Sequence, residues 1–173
     1  GDDRHRMSRR HLLVLDVDST LIRQEVIELI AARAGTERLV AEITERAMRG
    51  ELDFAASLAE RVATLKGVRD SVFADVISEV ELTPGAAELV ASAQAADWVV
   101  ALVSGGFEEI VTSIAPRVGI THFVANRLEV RDGALTGRTI GPVVDRNAKA
   151  IALKAFAAAQ GIDIADTVAL GDG

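Results

Sequence analysis

The stretch His11-Leu12-Leu13-Val14-Leu15-Asp16-Val17-Asp18-Ser19-Thr20-Leu21 decides the fold, because an apolar run stops at two carboxylates two residues apart. Leu12 to Leu15 read as a short, fully buried strand, and such strands belong to parallel sheets covered by helices on both faces. Asp16 and Asp18 then stand at its carboxyl end, the rim where open α/β sheets bind ligands. Alternate residues of an extended segment project the same way, so both carboxylates can converge on one point. Two like charges held that close need a cation or a shared proton. A hard divalent metal, Mg2+ above all, supplies the first remedy and frees one carboxylate to attack phosphorus. The competing reading is a solvated turn after a strand, since Asp and Ser favour turns.

Outward from this strand the pattern becomes helical. Ile22, Val26, Leu29 and Ile30 recur at helical spacing, and Gly35-Thr36 separates that helix from a second with Leu39, Val40, Ile43 and Ala47 on its apolar stripe. Asp53 is an N-cap for a third helix carrying Phe54, Leu58, Val62 and Leu65, and a fourth covers Val72 to Val80. Thr83-Pro84 caps the next helix, with Ala86, Leu89, Val90 and Ala93 facing inward. Trp98 to Val103 read as a second buried strand ending in Ser104-Gly105-Gly106, followed by a helix from Phe107 to Arg117. His122 to Ala125 form a third strand, and Asp132-Gly133 turns a hairpin between Leu128-Glu129-Val130 and Leu135-Thr136-Gly137. Asn147 to Gln160 is a helix with Ala148, Ile151, Ala152, Ala155, Phe156 and Ala159 on one face and Gly161 at its end. Thr167 to Leu170 then give a fourth strand. The fold class is thus α/β, a parallel sheet interrupted after its first strand by a helical insertion.

Composition narrows the function. The 173 residues suffice for one substantial core, and no apolar run approaches a membrane span. A net charge of -7 argues against nucleic acid as partner, since phosphate-backbone binding needs a basic face. The basic residues Arg4, Arg6, Arg9 and Arg10 read as a solvated tail or linker. Zero cysteines exclude disulfides, thiolate catalysis and thiolate zinc sites, and a cytoplasmic address fits. The start at Gly1-Asp2-Asp3 and the stop directly after a strand-like run suggest a piece of a longer protein.

Three strands end in polar groups suited to a phosphate and a metal: Asp16 and Asp18, Ser104-Gly105-Gly106, and Asp172 between two glycines. In a parallel sheet these ends share one rim. Ser104 offers a hydroxyl, and the glycines let backbone N–H groups approach an anion. Lys149 lies in the first turn of its helix, where a cation opposes the helix dipole; it either neutralises phosphate or is merely solvated. Arg61 lies at the edge of an apolar stripe and seeks an anion, whether a ligand or an internal partner, or snorkels to water. Glu25, beside Val26 and Ile27, is equally readable as ordinary helix surface.

In order, Asp16-Val17-Asp18-Ser19-Thr20, Ser104-Gly105-Gly106, Lys149 and Gly171-Asp172-Gly173 resemble the four motifs of haloacid-dehalogenase-type (HAD) phosphatases. More narrowly, Glu25-Val26-Ile27, Ala47 to Phe54, Val103 to Phe107 and Ala125 to Leu128 are similar to the phosphoserine phosphatase family. The resemblance implies a Rossmann-like HAD core (11–20 and 82–173), a helical-bundle cap (21–81) and a tail or linker (1–10). It implies Mg2+-dependent hydrolysis of O-phosphoserine to serine and phosphate in serine biosynthesis, through an aspartyl phosphate. Asp16 would be nucleophile and Asp18 general acid/base. Asp16, the backbone carbonyl of Asp18 and Asp172 would hold Mg2+, while Ser104, Gly105 and Lys149 bind phosphate. In the cap, Glu25 would meet the substrate ammonium and Arg61 its carboxylate, with Met48 and Phe54 as apolar walls. The family's fourth motif continues past Gly173 to an Asn, a second Asp and another core strand. The C-terminal part of the core is therefore expected to be missing, with a weakened metal site, an exposed sheet edge and little turnover. A homodimer and an N-terminal regulatory domain are compatible with the family. The alternatives are a HAD phosphatase or phosphotransferase on another small phosphate ester, or a non-catalytic phosphate-binding fragment.

Overall fold

The computed structural model describes residues 10–171; the expected tail, Arg10 apart, and Asp172 lie outside the described residues. Leu12–Leu15 forms β1, and all four residues are buried because the strand is flanked on both edges and covered on both faces. The other strands are Val99–Phe107 (β2), His122–Arg131 (β3), Ala134–Ile140 (β4) and Thr167–Leu170 (β5). They form one sheet in the order β4-β3-β2-β1-β5, parallel except for the β3–β4 hairpin. Strand alternation divides the core in two. Leu13 and Leu15 pack with the larger apolar cluster, whereas Leu12 and Val14 face a smaller one with Ala101, Val103 and Ala157.

Between β1 and β2 run the helices Val26–Ala34 (α1), Glu37–Met48 (α2), Phe54–Ala63 (α3), Val72–Glu79 (α4) and Ala86–Ala95 (α5). Buried residues of α1 to α4, among them Ile30, Val40, Leu58 and Val76, belong to the same cluster as Leu13 and Leu15. The inserted helices thus share the sheet's hydrophobic core. They are also stitched to it by backbone. The Gly67 N–H donates to the Leu135 carbonyl at 2.8 Å, the Leu135 N–H to the Val68 carbonyl at 2.8 Å, and the Asp70 N–H to the Gly133 carbonyl at 2.9 Å. The connection between α3 and α4 therefore acts as a short extra strand on β4. Glu108–Ile114 (α6) and Arg146–Ala159 (α7) complete the helices.

Several elements depart from the sequence reading. The first inserted helix begins at Val26 rather than Ile22: Val17–Leu21 makes one wide turn, and Ile22 pairs with Leu82. Asp18 Oδ2 accepts from the Val26 N–H at 3.2 Å, satisfying one of the donors that a helix start leaves open. α5 starts after Gly85, at φ 83°, so Thr83-Pro84 belongs to the preceding turn, and Leu89 is 45% exposed while Val90 is fully buried. β2 runs through Ser104-Gly105-Gly106 to Phe107 instead of stopping at Val103, because Phe107 pairs with Asn126 across a register shift. The third strand and the first arm of the hairpin are one element, β3. On α7 the packed face carries Ala148, Ala152, Leu153, Phe156 and Ala157, and Ile151 is 60% exposed. β5, by contrast, agrees with the expected exposed sheet edge, with Val168 and Leu170 exposed. No helix among the described residues is long and apolar enough to cross a membrane.

These burials set a stability test. Leu102→Ala, at a fully buried position of β2, should lower the unfolding free energy by about 2–5 kcal/mol in chemical denaturation. Leu89→Ala, on the exposed face of α5, should change it by less than about 0.5 kcal/mol.

Candidate active site

The carboxyl ends of β1 and β2, the start of α7 and the inner faces of α1 and α3 surround a cleft of about 310 Å³. Asp16 ends β1, and its backbone N–H donates to the Leu170 carbonyl at 3.0 Å. Lys149 reaches across from the first turn of α7, placing Nζ 2.9 Å from Asp16 Oδ1. That turn is pinned by Asp145, whose carboxylate accepts from the Ala148 N–H at 2.8 Å. The other Asp16 oxygen faces Gly171, where a Cβ would lie 2.3 Å from Oδ2 at φ 156°. Only glycine fits that approach.

Asp18 is the more confined carboxylate. Its Oδ1 is buried without a hydrogen-bond partner. Burial first, then the nearby charge of Glu25, pushes its pKa up to about 7. A neutral carboxyl is correspondingly accessible near neutral pH. Gly106 makes the fit possible, since a Cβ there would sit 3.0 Å from Asp18 Oδ1 and 3.1 Å from Ser104 Oγ. Ser104 is itself buried, and its Oγ accepts from the Gly106 N–H at 2.9 Å. That bond occupies a lone pair and leaves the hydroxyl proton available to an anion.

The opposite wall comes from the inserted helices. Glu25 and Arg61 both line the cleft. Burial lowers the Arg61 pKa, while Glu25, Glu28 and Asp18 act in the opposite direction to hold its charge. Its Nε donates to the Ser57 carbonyl at 3.3 Å. Phe54 leans over the glycines: a Cβ on Gly105 would come within 3.0 Å of its ring.

Asp16, Asp18, Glu25, Phe54, Arg61, Ser104, Gly105 and Lys149 therefore line one cleft. Met48 is not among them. It is the last residue of α2, where the chain turns away into Arg49-Gly50, and it is 83% exposed, so the apolar-wall expectation fails for it. The apolar lining comes instead from Ile27, Leu58, Phe107 and Val144. Asn126 was also missed. Buried in β3, it donates from Nδ2 to the Gly105 carbonyl at 2.9 Å and accepts at Oδ1 from the Val144 N–H at 2.7 Å. It ties the β2 end to the segment leading into α7. Its sequence signals were an amide directly after the apolar Phe123-Val124-Ala125 and its place in the family-like stretch Ala125 to Leu128.

Residues 13–173 match the family described as haloacid dehalogenase-like hydrolase. The chain belongs to the haloacid dehalogenase-like hydrolases. It is 52% identical over 162 residues to a phosphoserine phosphatase of Streptococcus thermophilus, covering 94% of this chain and 75% of that one. It is 52% identical over 169 residues to a phosphoserine phosphatase of Streptomyces coelicolor, covering 98% of this chain but 41% of that protein. A solved phospho-aspartyl intermediate analogue of phosphoserine phosphatase superposes with a TM-score of 0.90 at 42% identity, over 96% of this chain and 79% of the other. This hydrolase is thus a phosphatase by relationship, in a family that generally uses a divalent metal.

The Asn126 bridge predicts that Asn126→Ala both destabilises and disarms the site. Stranding the buried Val144 N–H should cost about 1–3 kcal/mol by denaturant titration, and freeing the part-buried Gly105 carbonyl should cost less. Phosphate-ester turnover at a temperature where the variant stays folded should also fall, because Ser104-Gly105 and the Lys149 turn lose their common anchor.

Proposed function

We propose that this hydrolase cleaves O-phosphoserine to serine and inorganic phosphate through an aspartyl phosphate, the last step of serine synthesis. The observation that carries the reading is the polarity of the cleft. The Asp16–Lys149 pair and Ser104 line the cleft from the sheet end and α7, while a carboxylate and a guanidinium, Glu25 and Arg61, line it from the inserted segment, near enough for the Glu25 charge to act on Arg61. An ester bearing phosphate at one end and an ammonium and a carboxylate at the other matches that distribution.

The steps follow from the groups present. An Asp16 oxygen attacks phosphorus as the bond to the serine oxygen breaks, and Asp18 gives its proton to that leaving oxygen. Water then attacks the phosphorus of the aspartyl phosphate, losing a proton to Asp18 as the bond to Asp16 breaks. Lys149 offsets the repulsion between the Asp16 carboxylate and the phosphate. Ser104, with its lone pair taken by Gly106, donates its proton to a phosphoryl oxygen, and the Gly105 N–H serves another. Glu25 receives the ammonium and Arg61 the carboxylate. Phe54 forms an apolar wall of the cleft.

Asp16 keeps one hard carboxylate oxygen, Oδ2, clear of Lys149 and facing Gly171, a donor that fits a divalent cation of the Mg2+ type. Asp16, the backbone carbonyl of Asp18 and Asp172 would hold it, and it would supply charge neutralisation at the phosphoryl group. A cytoplasmic location accords with a free metabolite as substrate.

Phosphate release from O-phosphoserine and from a panel of other small phosphate esters is the direct test. Mg2+-dependent release with O-phosphoserine preferred supports the reading. Release only from other esters moves the substrate, and none from any ester leaves a phosphate-binding fragment. Asp16→Asn should abolish turnover, and undiminished rates would exclude it as nucleophile. Arg61→Ala should reduce kcat/KM for O-phosphoserine by about 100-fold, the value of a charged hydrogen-bonded contact, while sparing an ester without a carboxylate. Equal losses on both would refute its role.

A further inference from the structure

Among the described residues, three that are not glycine hold a positive φ: Ser19 at 58°, Asp97 at 66° and Asp132 at 53°. Asp132 turns the β3–β4 hairpin and Asp97 precedes β2 in a turn, sites where short polar side chains tolerate this region. Ser19 differs in its surroundings. It directly follows Asp18, and its hydroxyl donates to Glu25 Oε1 at 2.6 Å. Its backbone N–H also donates to the Gln24 carbonyl at 3.2 Å. With the Val26 N–H on Asp18 Oδ2, three bonds cinch residues 18–19 against 24–26.

Glycine would serve the backbone at position 19 better than serine, so conformation alone gives no reason for the hydroxyl. From these contacts we infer that Ser19 is a positioning residue that sets the Glu25 carboxylate for an amine on the substrate. This rests on the proposed phosphoserine reading and extends it. The hydroxyl occupies Oε1 and leaves Oε2 to an ammonium. Because Asp18 and Glu25 are joined by this short closed loop, the proton donor for the leaving oxygen and the acceptor for the ammonium stand in fixed register. In O-phosphoserine those two atoms are separated by two carbons, so register translates directly into selection for a β-amino phosphate ester. Ser19 is exposed in the free protein, where water competes for the bond.

The discriminating variant is Ser19→Gly, which suits the positive φ and removes the hydroxymethyl side chain with its hydrogen bond. The measurements are kcat and KM for O-phosphoserine and for 3-phosphooxypropanoate, the same ester without its ammonium, together with Tm. We expect an unchanged or higher Tm and about a tenfold rise in KM for O-phosphoserine, the loss of one hydrogen bond to a charged group. Turnover of the amine-free ester should be unaltered. In a Glu25→Gln background, Ser19→Gly should have no further effect on either substrate, because the carboxylate it orients is gone. Equal losses on both esters, or undiminished preference for the amine in Ser19→Gly, overturn the inference. If Glu25→Gln itself leaves the preference for the amine intact, the assignment of Glu25, and with it the phosphoserine reading, falls. If Glu25→Gln abolishes that preference and Ser19→Gly does not, only the positioning role falls.

Discussion

Two carboxylates crowded at the carboxyl end of a buried strand are the constraint on which the rest of the molecule depends. Asp16 and Asp18 cannot both be solvated there, and each is managed differently. Asp16 is met by the ammonium of Lys149, brought from the far end of the chain by a helix whose own start is capped by Asp145. Asp18 is pressed against Gly106 with one oxygen buried and unpartnered, so burial favours its neutral form. The glycines at 106 and 171 exist where a side chain would strike these carboxylates. Charge placement thus dictates where the backbone may carry no side chain.

Much of this was legible in the sequence because its signals are local. The four apolar residues before Asp16, the Asp132-Gly133 turn and the Asp53 N-cap each specify their own structure, and each stands as read: Asp53 accepts from the Ala56 N–H at 2.7 Å. What escaped depends on partners distant in the chain. The extension of β2 through Ser104-Gly105-Gly106 is imposed by pairing with β3, against the turn preference of those residues. Ile22 looked like the first position of a helix because apolar spacing cannot distinguish helix from a lone bridge to Leu82.

The site shows the same division. Residues with charge or obvious chemistry could be picked out along the chain, while Asn126, which holds two segments of the site together through main-chain contacts, carries no chemical signature of its own. Met48 misled for the opposite reason: it sits in a stretch similar to the family, yet the turn after α2 carries it out to solvent. Proximity in sequence to Phe54 did not carry over to proximity in space.

The pairing of residues 67–70 with β4 bears on how a ligand gets in. A bundle joined to its neighbour only by two flexible strands of chain could swing away as a lid. Here a third seam, of backbone hydrogen bonds, fastens the bundle along the hairpin, and a common oily interior backs it. A ligand thus enters between two walls whose spacing is tied at three places rather than two.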